Sequence, residues 1–362
     1  MDILRKASIL GNAGRFDSCG PSQCEVKVGS NLNGLYHAPS ERKDCIIFKT
    51  LMSDKCSFDC AYCPNSSRSK QKSGVSFSSS ELHRVFMNAR KSLGVNGLFL
   101  SSGMFGNSDD VMSSMIDAAN KIRQSFGGYI HLKIMPGASF DHVKEACRVA
   151  NRVSLNIEAP SASALSKFSD LKDFKVDILR RQAWIKRLGS SQSTQMIVSE
   201  SVNDFDVLKM SNWEYANLDL KRVYYSALRP VKGTPLENFK AESLFRQNNL
   251  YRADFLLREY GFKLGEIQGI MEDSMLPRVD PKVLLARTYF SGRLDVNEAE
   301  FDELIRVPGI GFKSCERILS ARKTGSRISN FSDLRKFGAN INFAAPFISI
   351  GGKVQSSLFD FS

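Results

Sequence analysis

Cys56-Ser57-Phe58-Asp59-Cys60-Ala61-Tyr62-Cys63 is the stretch on which the reading of this chain turns. Its three cysteines, spaced C-x3-C-x2-C, can bring three thiolates onto one ion or one small cluster. A structural zinc site normally closes with four protein ligands, and no fourth Cys or His follows nearby. Soft thiolates also suit iron–sulfur clusters, and a [4Fe–4S] cube held by three cysteines keeps one iron open to an outside ligand. On spacing alone, a zinc loop completed from elsewhere in the chain stays open as the alternative. The apolar run CIIFKTL (45–51) just upstream reads as a strand, which would put the loop at a strand's carboxyl end.

The chain has 362 residues, enough for one barrel-sized domain and a smaller one. Its hydrophobic content of 42% and aromatic content of 10% are those of an ordinary globular protein. A net charge of +12 favours phosphate-rich partners. The N-terminus lacks the apolar core of a signal peptide, and no run approaches the roughly 18 apolar residues of a membrane span. Eight cysteines without an export signal point to reduced thiols or cluster ligands, and hence to the cytoplasm.

Residues 1–44 are rich in Gly, Ser and Asn and read as a loop-rich leader. They carry Cys19 and Cys24, which with Cys45 form a weak candidate for a second metal site. From residue 45 to 240 apolar runs alternate with amphipathic segments. Strands are expected at 45–51, 97–100, 129–135, 153–159, 193–199 and 222–228. Helices are expected between them: one opened by the capping box Ser78-x-x-Glu81, one by Asp109 and Asp110, others over 140–149 and about 175–188. Six strand–helix repeats describe a parallel sheet covered by helices, either a partial barrel or a doubly wound sheet. In both, ligands sit at the carboxyl ends of the strands. Two strands carry polar residues where a buried parallel strand should be apolar: His131 and Lys133 in YIHLKIM, and Ser154, Asn156 and Glu158 in VSLNIEA. A bound ribose, amino acid or substrate would satisfy such groups; internal hydrogen bonds would do so equally.

A helical connecting segment (241–292) leads to a C-terminal unit (293–362). There Asn297 can cap a short helix, Pro308-Gly309-Ile310-Gly311 makes a tight hairpin, and a second helix carries Ile318 and Leu319 on its apolar side. The glycines allow a sharp turn and leave amides exposed at a helix N-terminus, an arrangement that binds phosphate. This resembles the helix-hairpin-helix motif, which grips nucleic-acid backbones without reading bases. Between Arg306 and Lys336 stand eight Lys and Arg against two acids, Glu316 and Asp333. The amides of Gly309, Ile310 and Gly311, with Lys313, Arg317 and Arg322, are the candidate nucleic-acid contacts. Cys315 reads as a packing residue. A hairpin used for protein contacts is the alternative.

The loop C-x3-C-x-aromatic-C resembles the signature of the radical S-adenosylmethionine (radical SAM) superfamily. With the hairpin, the chain from about residue 10 to 350 resembles the DNA modification/repair radical SAM proteins, which are often encoded beside a uracil-DNA-glycosylase-like protein. The resemblance runs through RFDSC (15–19), GLFLSSGMFG (97–106), GGYIHLKIMPGA (127–138), SLNIEAP (154–160), QSTQMIVSES (192–201), KRVYYSALRPVKGTPLE (221–237) and YRADFLLREYGF (251–262). PVKGTPLE also resembles biotin-synthase-like proteins. The resemblance implies a partial (β/α)6 TIM-type barrel with a small all-α helix-hairpin-helix domain. It implies that Cys56, Cys60 and Cys63 hold a [4Fe–4S] cluster whose open iron chelates SAM. Reduction then yields a 5′-deoxyadenosyl radical that abstracts hydrogen from substrate. Tyr62 would lie against adenine, and Asn156 and Glu158 would stand on the strand that meets ribose. Ser101, Ser102 and Gly103 occupy the place of a Gly-Gly-Glu turn; its Glu is absent, so only backbone contact with SAM is implied. An electron donor such as flavodoxin or ferredoxin, and DNA or RNA as substrate, complete the expectation. Its rivals are a radical SAM enzyme for a small molecule and a non-catalytic iron–sulfur protein that binds nucleic acid.

Overall fold

The computed structural model describes residues 1–16, 32–38, 45–70 and 74–354. Cys19 and Cys24 lie outside them. The sheet begins with β1 (Leu35–Ala38), antiparallel to β2 (Cys45–Leu51). Parallel strands β3 (Gly97–Ser101), β4 (Tyr129–Lys133), β5 (Arg152–Ser154), β6 (Gln192–Val198) and β7 (Leu220–Ala227) then follow in spatial order. All of β3 and β6 is buried, as strands covered on both faces should be. The sheet curls into a half-barrel.

Helices follow the strands: α1 (Ile3–Ala13) ahead of the sheet, α2 (Ser79–Leu93) after β2, α3 (Ser108–Arg123) after β3 and α4 (Phe140–Val149) after β4. The short α5 (Ala162–Leu165) and α6 (Arg180–Arg187) follow β5, and α7 (Asp204–Leu218) follows β6. Ser78 caps α2, with Glu81 returning the bond as the capping box requires. The equivalent box on α3 uses Asn107 with Asp110.

Three local expectations differ. The leader, read as loops, contains α1 and β1. Ala7 and Leu10 of α1 are fully buried, and Lys6 pairs with Glu81 at 2.8 Å. The Gly, Ser and Asn of the following residues diluted that short apolar stripe. The strand expected over 153–159 stops at Ser154, because the Thr194 hydroxyl takes over the ladder. It donates to the Leu155 carbonyl at 2.7 Å and accepts from the Ile157 amide at 2.9 Å. The helix expected near 175 opens as a π-helical turn, Phe174–Leu179, before α6.

The chain divides into two units, Met1–Gln247 and Asn248–Ser362, with α8 (Leu244–Glu259) running across the division. The second unit holds α9 (Leu264–Gln268), α10 (Pro281–Tyr289), β8 (Leu294–Asp295), α11 (Phe301–Leu304) and α12 (Phe312–Lys323). It ends with α13 (Phe331–Lys336), α14 (Ile341–Ala344) and β9 (Ile348–Ser349), which pairs with β8 in parallel. Its own core includes Val296, Ile310, Cys315, Ile318 and Leu334, with Val283 and Phe290 from the connecting segment packed against it. No helix among the described residues is long and apolar enough to cross a membrane.

Candidate functional site at the strand carboxyl ends

The cysteine loop leaves the carboxyl end of β2 and is held by backbone on three sides. Ser57 N–H donates to the Met104 carbonyl at 2.7 Å, Ala61 N–H to Phe168 at 2.8 Å, and Leu236 N–H to Ala61 at 3.3 Å. Inside the loop, buried Asp59 accepts from the Ser169 hydroxyl and the Asp170 amide and pairs with Arg68 at 2.9 Å. Burial alone would raise its pKa, but these partners outweigh it and hold the carboxyl below its usual range. Asp59 therefore pins the loop and does not face the cleft.

Cys56, Cys60, Cys63 and Tyr62 line an open cleft with about 850 Å³ of empty space, its mouth included. Ser101, Ser102, Gly103, Asn156 and Glu158 line the same cleft, so every residue assigned to the cluster or to SAM comes together here. Gly103 has a packing reason. A Cβ there would stand 2.3 Å from the Lys55 carbonyl oxygen and 3.1 Å from Cys56 Cβ, so any side chain would push the cysteine loop away. The Ser102 hydroxyl bonds to the Gly103 carbonyl at 2.8 Å. Asn156 is half-buried, and its side chain makes no hydrogen bond among the described residues.

Glu158 is built differently from a strand residue. Its φ is +65°, in the left-handed region, while its backbone bridges to Met196 of β6. Holding a non-glycine residue there costs on the order of 1–3 kcal/mol, and such strain concentrates at functional sites. Its carboxylate pairs with Lys172 at 3.2 Å, both side chains being nearly inaccessible. The Tyr62 hydroxyl also bonds to Glu158; burial, then the Glu158 charge, pushes that phenol far above its ordinary value.

Lys172 was not singled out by sequence, since nothing periodic marks an isolated lysine between α5 and α6. Its ammonium bonds to Cys60 as well as Glu158 and lies 5.3 Å from the Phe58 ring centroid. Burial works against its charge, but Cys60 and Glu158 reverse the balance and keep it protonated. Burial, then the Glu158 charge, raises Cys60 against the opposing Lys172, and burial, then Cys60, raises Cys63. A bound iron centre would remove that resistance by supplying positive charge. No three His, Cys, Asp or Glu among the described residues converge as ligands of a single metal ion. Three thiols lining one cleft are the donor set of a cube, whose cysteine ligands each bind a different iron. Of the other polar strand residues, Lys133 lines the cleft. His131 is an internal residue, 2.8 Å from the Ser154 hydroxyl and packed on Phe99.

In the second unit the hairpin joins α11 to α12. Gly309 has φ +80°, and a Cβ there would stand 2.2 Å from the Asn340 carbonyl oxygen. Its immediate role is thus to let two backbones meet. The Ile310 side chain is in the core, and its amide donates to Val307. The Phe312 amide is taken by the Tyr260 hydroxyl. Arg322 donates to the Ala299 and Glu298 carbonyls and acts as an internal brace. Lys313 and Arg317 project from α12 as exposed cations, Arg317 touching the Phe337 carbonyl at 3.4 Å.

No known family model and no curated protein matches the sequence. Solved structures do. Methylornithine synthase (PylB) superposes with a TM-score of 0.50 at 17% identity, over 58% of this chain and 62% of its own. The FeFe-hydrogenase maturase HydG from Carboxydothermus hydrogenoformans does so with a TM-score of 0.50 at 13% identity, over 58% of this chain and 51% of its own. The fold is the partial TIM barrel of radical SAM enzymes. The matched region spans less than two thirds of either relative, and at these identities the likeness is one of fold.

Proposed function

We propose that this chain is a radical SAM enzyme that acts on a nucleotide in DNA or RNA. The observation that carries the reading is the meeting, in one cleft at the strand carboxyl ends, of three cysteines with the Ser101–Gly103 turn, Asn156 and Glu158. A [4Fe–4S] cluster and SAM bound there would supply a 5′-deoxyadenosyl radical for hydrogen abstraction. The chain's own residues bind and orient. Cys56, Cys60 and Cys63 hold the cluster, and the loop's backbone bonds fix their spacing. The Ser101–Gly103 backbone meets the SAM amino group, Tyr62 lies against adenine, and Asn156 and Glu158 accept or donate to ribose hydroxyls. Lys172 aims the Glu158 side chain through the 3.2 Å contact between them. The hairpin unit is the dock: amides at the start of α12, with Lys313 and Arg317, meet phosphates. A base or sugar inside a duplex is out of reach of a pocket at the strand ends, so it must be flipped out or already unpaired. By resemblance, the expected partners are a flavodoxin- or ferredoxin-type electron donor and a uracil-DNA-glycosylase-like protein, in the cytoplasm.

The test is anaerobic reconstitution with iron and sulfide, then reduction with labelled SAM. About four irons per chain and release of 5′-deoxyadenosine are expected. Total nucleic acid from a strain lacking the gene should then lose or gain one modified nucleotide. A reduced, iron-loaded protein that leaves SAM intact would sink the reading.

A further inference from the structure

Four aromatic rings form a continuous ladder beside the hairpin, edge-to-face at its first two contacts and tilted at the third. Phe255 meets Tyr260 at 5.2 Å between centroids, Tyr260 meets Phe312 at 5.3 Å, and Phe312 meets Phe301 at 5.4 Å. Two of these rings face water: Phe255 is 42% and Phe312 40% exposed. A single exposed phenylalanine is unremarkable. Two held rigid by a shared ladder are different, since their ordering precedes any binding. The surroundings are cationic. Lys313 follows Phe312 directly and Arg317 stands one turn further on, both exposed. The Lys282 ammonium lies 4.7 Å from the Tyr260 centroid and bonds to the Ile310 carbonyl at 2.6 Å. Arg258 lies 6.0 Å from the Phe255 ring, its charge already met by Asp254 and Glu259.

We propose that Phe255 and Phe312 are a stacking platform for unpaired bases, so that the C-terminal unit holds single-stranded rather than duplex nucleic acid. This rests on the nucleic-acid reading above and specifies its substrate. Two hairpin amides, those of Ile310 and Phe312, are spent internally on Val307 and Tyr260, which leaves fewer donors for a grip on phosphates alone. Part-exposed rings beside the exposed cations Lys313 and Arg317 fit a base and its phosphate together. Bases in a duplex are stacked on one another and offer no face. An apolar protein surface would cover the rings but strand Lys313 and Arg317. Stacking on an aromatic side chain contributes about 1–3 kcal/mol per base with little sequence preference.

The test uses the full chain and fluorescence anisotropy with a labelled oligothymidine of about a dozen nucleotides and a duplex of equal length, at two salt concentrations. The single strand should bind at least about tenfold tighter. Phe312→Leu should lower its affinity about five- to a hundredfold with the salt slope unchanged, and Phe312→Trp should restore it. Phe255→Leu should act in the same direction. A 2-aminopurine in the strand should lose fluorescence on wild type and keep it on Phe312→Leu. Tighter duplex binding, or equal strand affinity for Phe312→Leu and wild type, overturns the platform while the docking role stands. If neither nucleic acid binds at low salt, the docking role fails and the platform with it. Loss of a bound protein partner on Phe312→Leu, with strand affinity unchanged, overturns the platform in favour of a protein surface.

Discussion

At the scale of single residues, the cysteines were legible because their meaning is local: C-x3-C-x2-C needs only one loop to bring its thiols into the same cleft. Changing any of Cys56, Cys60 or Cys63 to Ala should remove most of the iron. Cys147→Ala should not, nor should Cys315→Ala in the second core. Iron analysis decides, and a triple variant that retained a full cluster would refute the ligand assignment. Lys172 was illegible because its role exists only once α5 and the π-helical turn bring it to Cys60 and Glu158. This pair sharpens the expectation for Glu158. Glu158→Gln loses a buried hydrogen-bond acceptor for ribose and should weaken SAM binding on the order of ten- to a hundredfold with iron content intact. It also leaves the buried Lys172 charge with Cys60 and a neutral amide oxygen in place of a carboxylate, a loss bounded by the cost of removing one member of a buried pair, about 3–5 kcal/mol. The double variant Glu158→Gln, Lys172→Met should recover melting temperature but not SAM affinity. If affinity returns with stability, Glu158 is structural.

At the scale of elements, the strands that the sheet buries on both faces were readable to within a residue at each end, and β2 spans Cys45–Leu51 as its apolar run does. β5 was not, because its end is set by a side chain on another strand, Thr194. The same non-local logic applies between α6 and α7. Glu214 is completely buried, its Oε1 accepts from Gln182 Nε2 at 2.9 Å, and Glu214 Oε2 and Gln182 Oε1 lack partners among the described residues. Burial raises the Glu214 carboxyl from 4.5 to about 8, with the Gln182 bond opposing it. A protonated Glu214 has the donor that Gln182 Oε1 lacks. In the unfolded chain the group ionises near 4.5, so the stability it gives is complete below that pH. That stability is lost as pH rises through about 8. Glu214→Gln keeps the shape without the titration. Urea midpoints measured across this range should fall with pH in wild type and stay flatter in Glu214→Gln, each pKa unit being worth about 1.4 kcal/mol. Parallel curves would show that Glu214 is ionised in the fold or that another group governs the slope.

At the scale of the whole molecule, the barrel was readable because six strand–helix repeats set its period. The choice of barrel over open sheet came from the cysteine motif, not from periodicity. The hairpin was readable as a motif but not in its division of labour. Gly309, whose amide is a candidate phosphate contact, is also where the hairpin meets Asn340, whose amide donates to the Gly309 carbonyl at 2.8 Å. Arg322, a candidate phosphate contact, also braces the turn ahead of α11 through the Glu298 and Ala299 carbonyls. Two variants therefore separate folding from docking. Gly309→Ala places a side chain in the left-handed region, at about 1–2 kcal/mol. It also drives a Cβ to within 2.2 Å of the Asn340 oxygen, so the two backbones must part and their bond break. Nucleic-acid binding should fall because the second unit loosens, visible as faster amide exchange across α12. Lys313→Glu with Arg317→Glu touches no core residue. It should leave amide exchange alone, cut affinity and flatten the dependence on salt, because two phosphate contacts and their released counterions are gone. Each unit has its own core, so both variants should keep full iron and cleave SAM in the absence of nucleic acid at the wild-type rate. Anisotropy, amide exchange and iron content on the same preparations decide the matter. Wild-type affinity in the charge-reversed variant would show that α12 is not the dock, whatever the fate of Gly309→Ala.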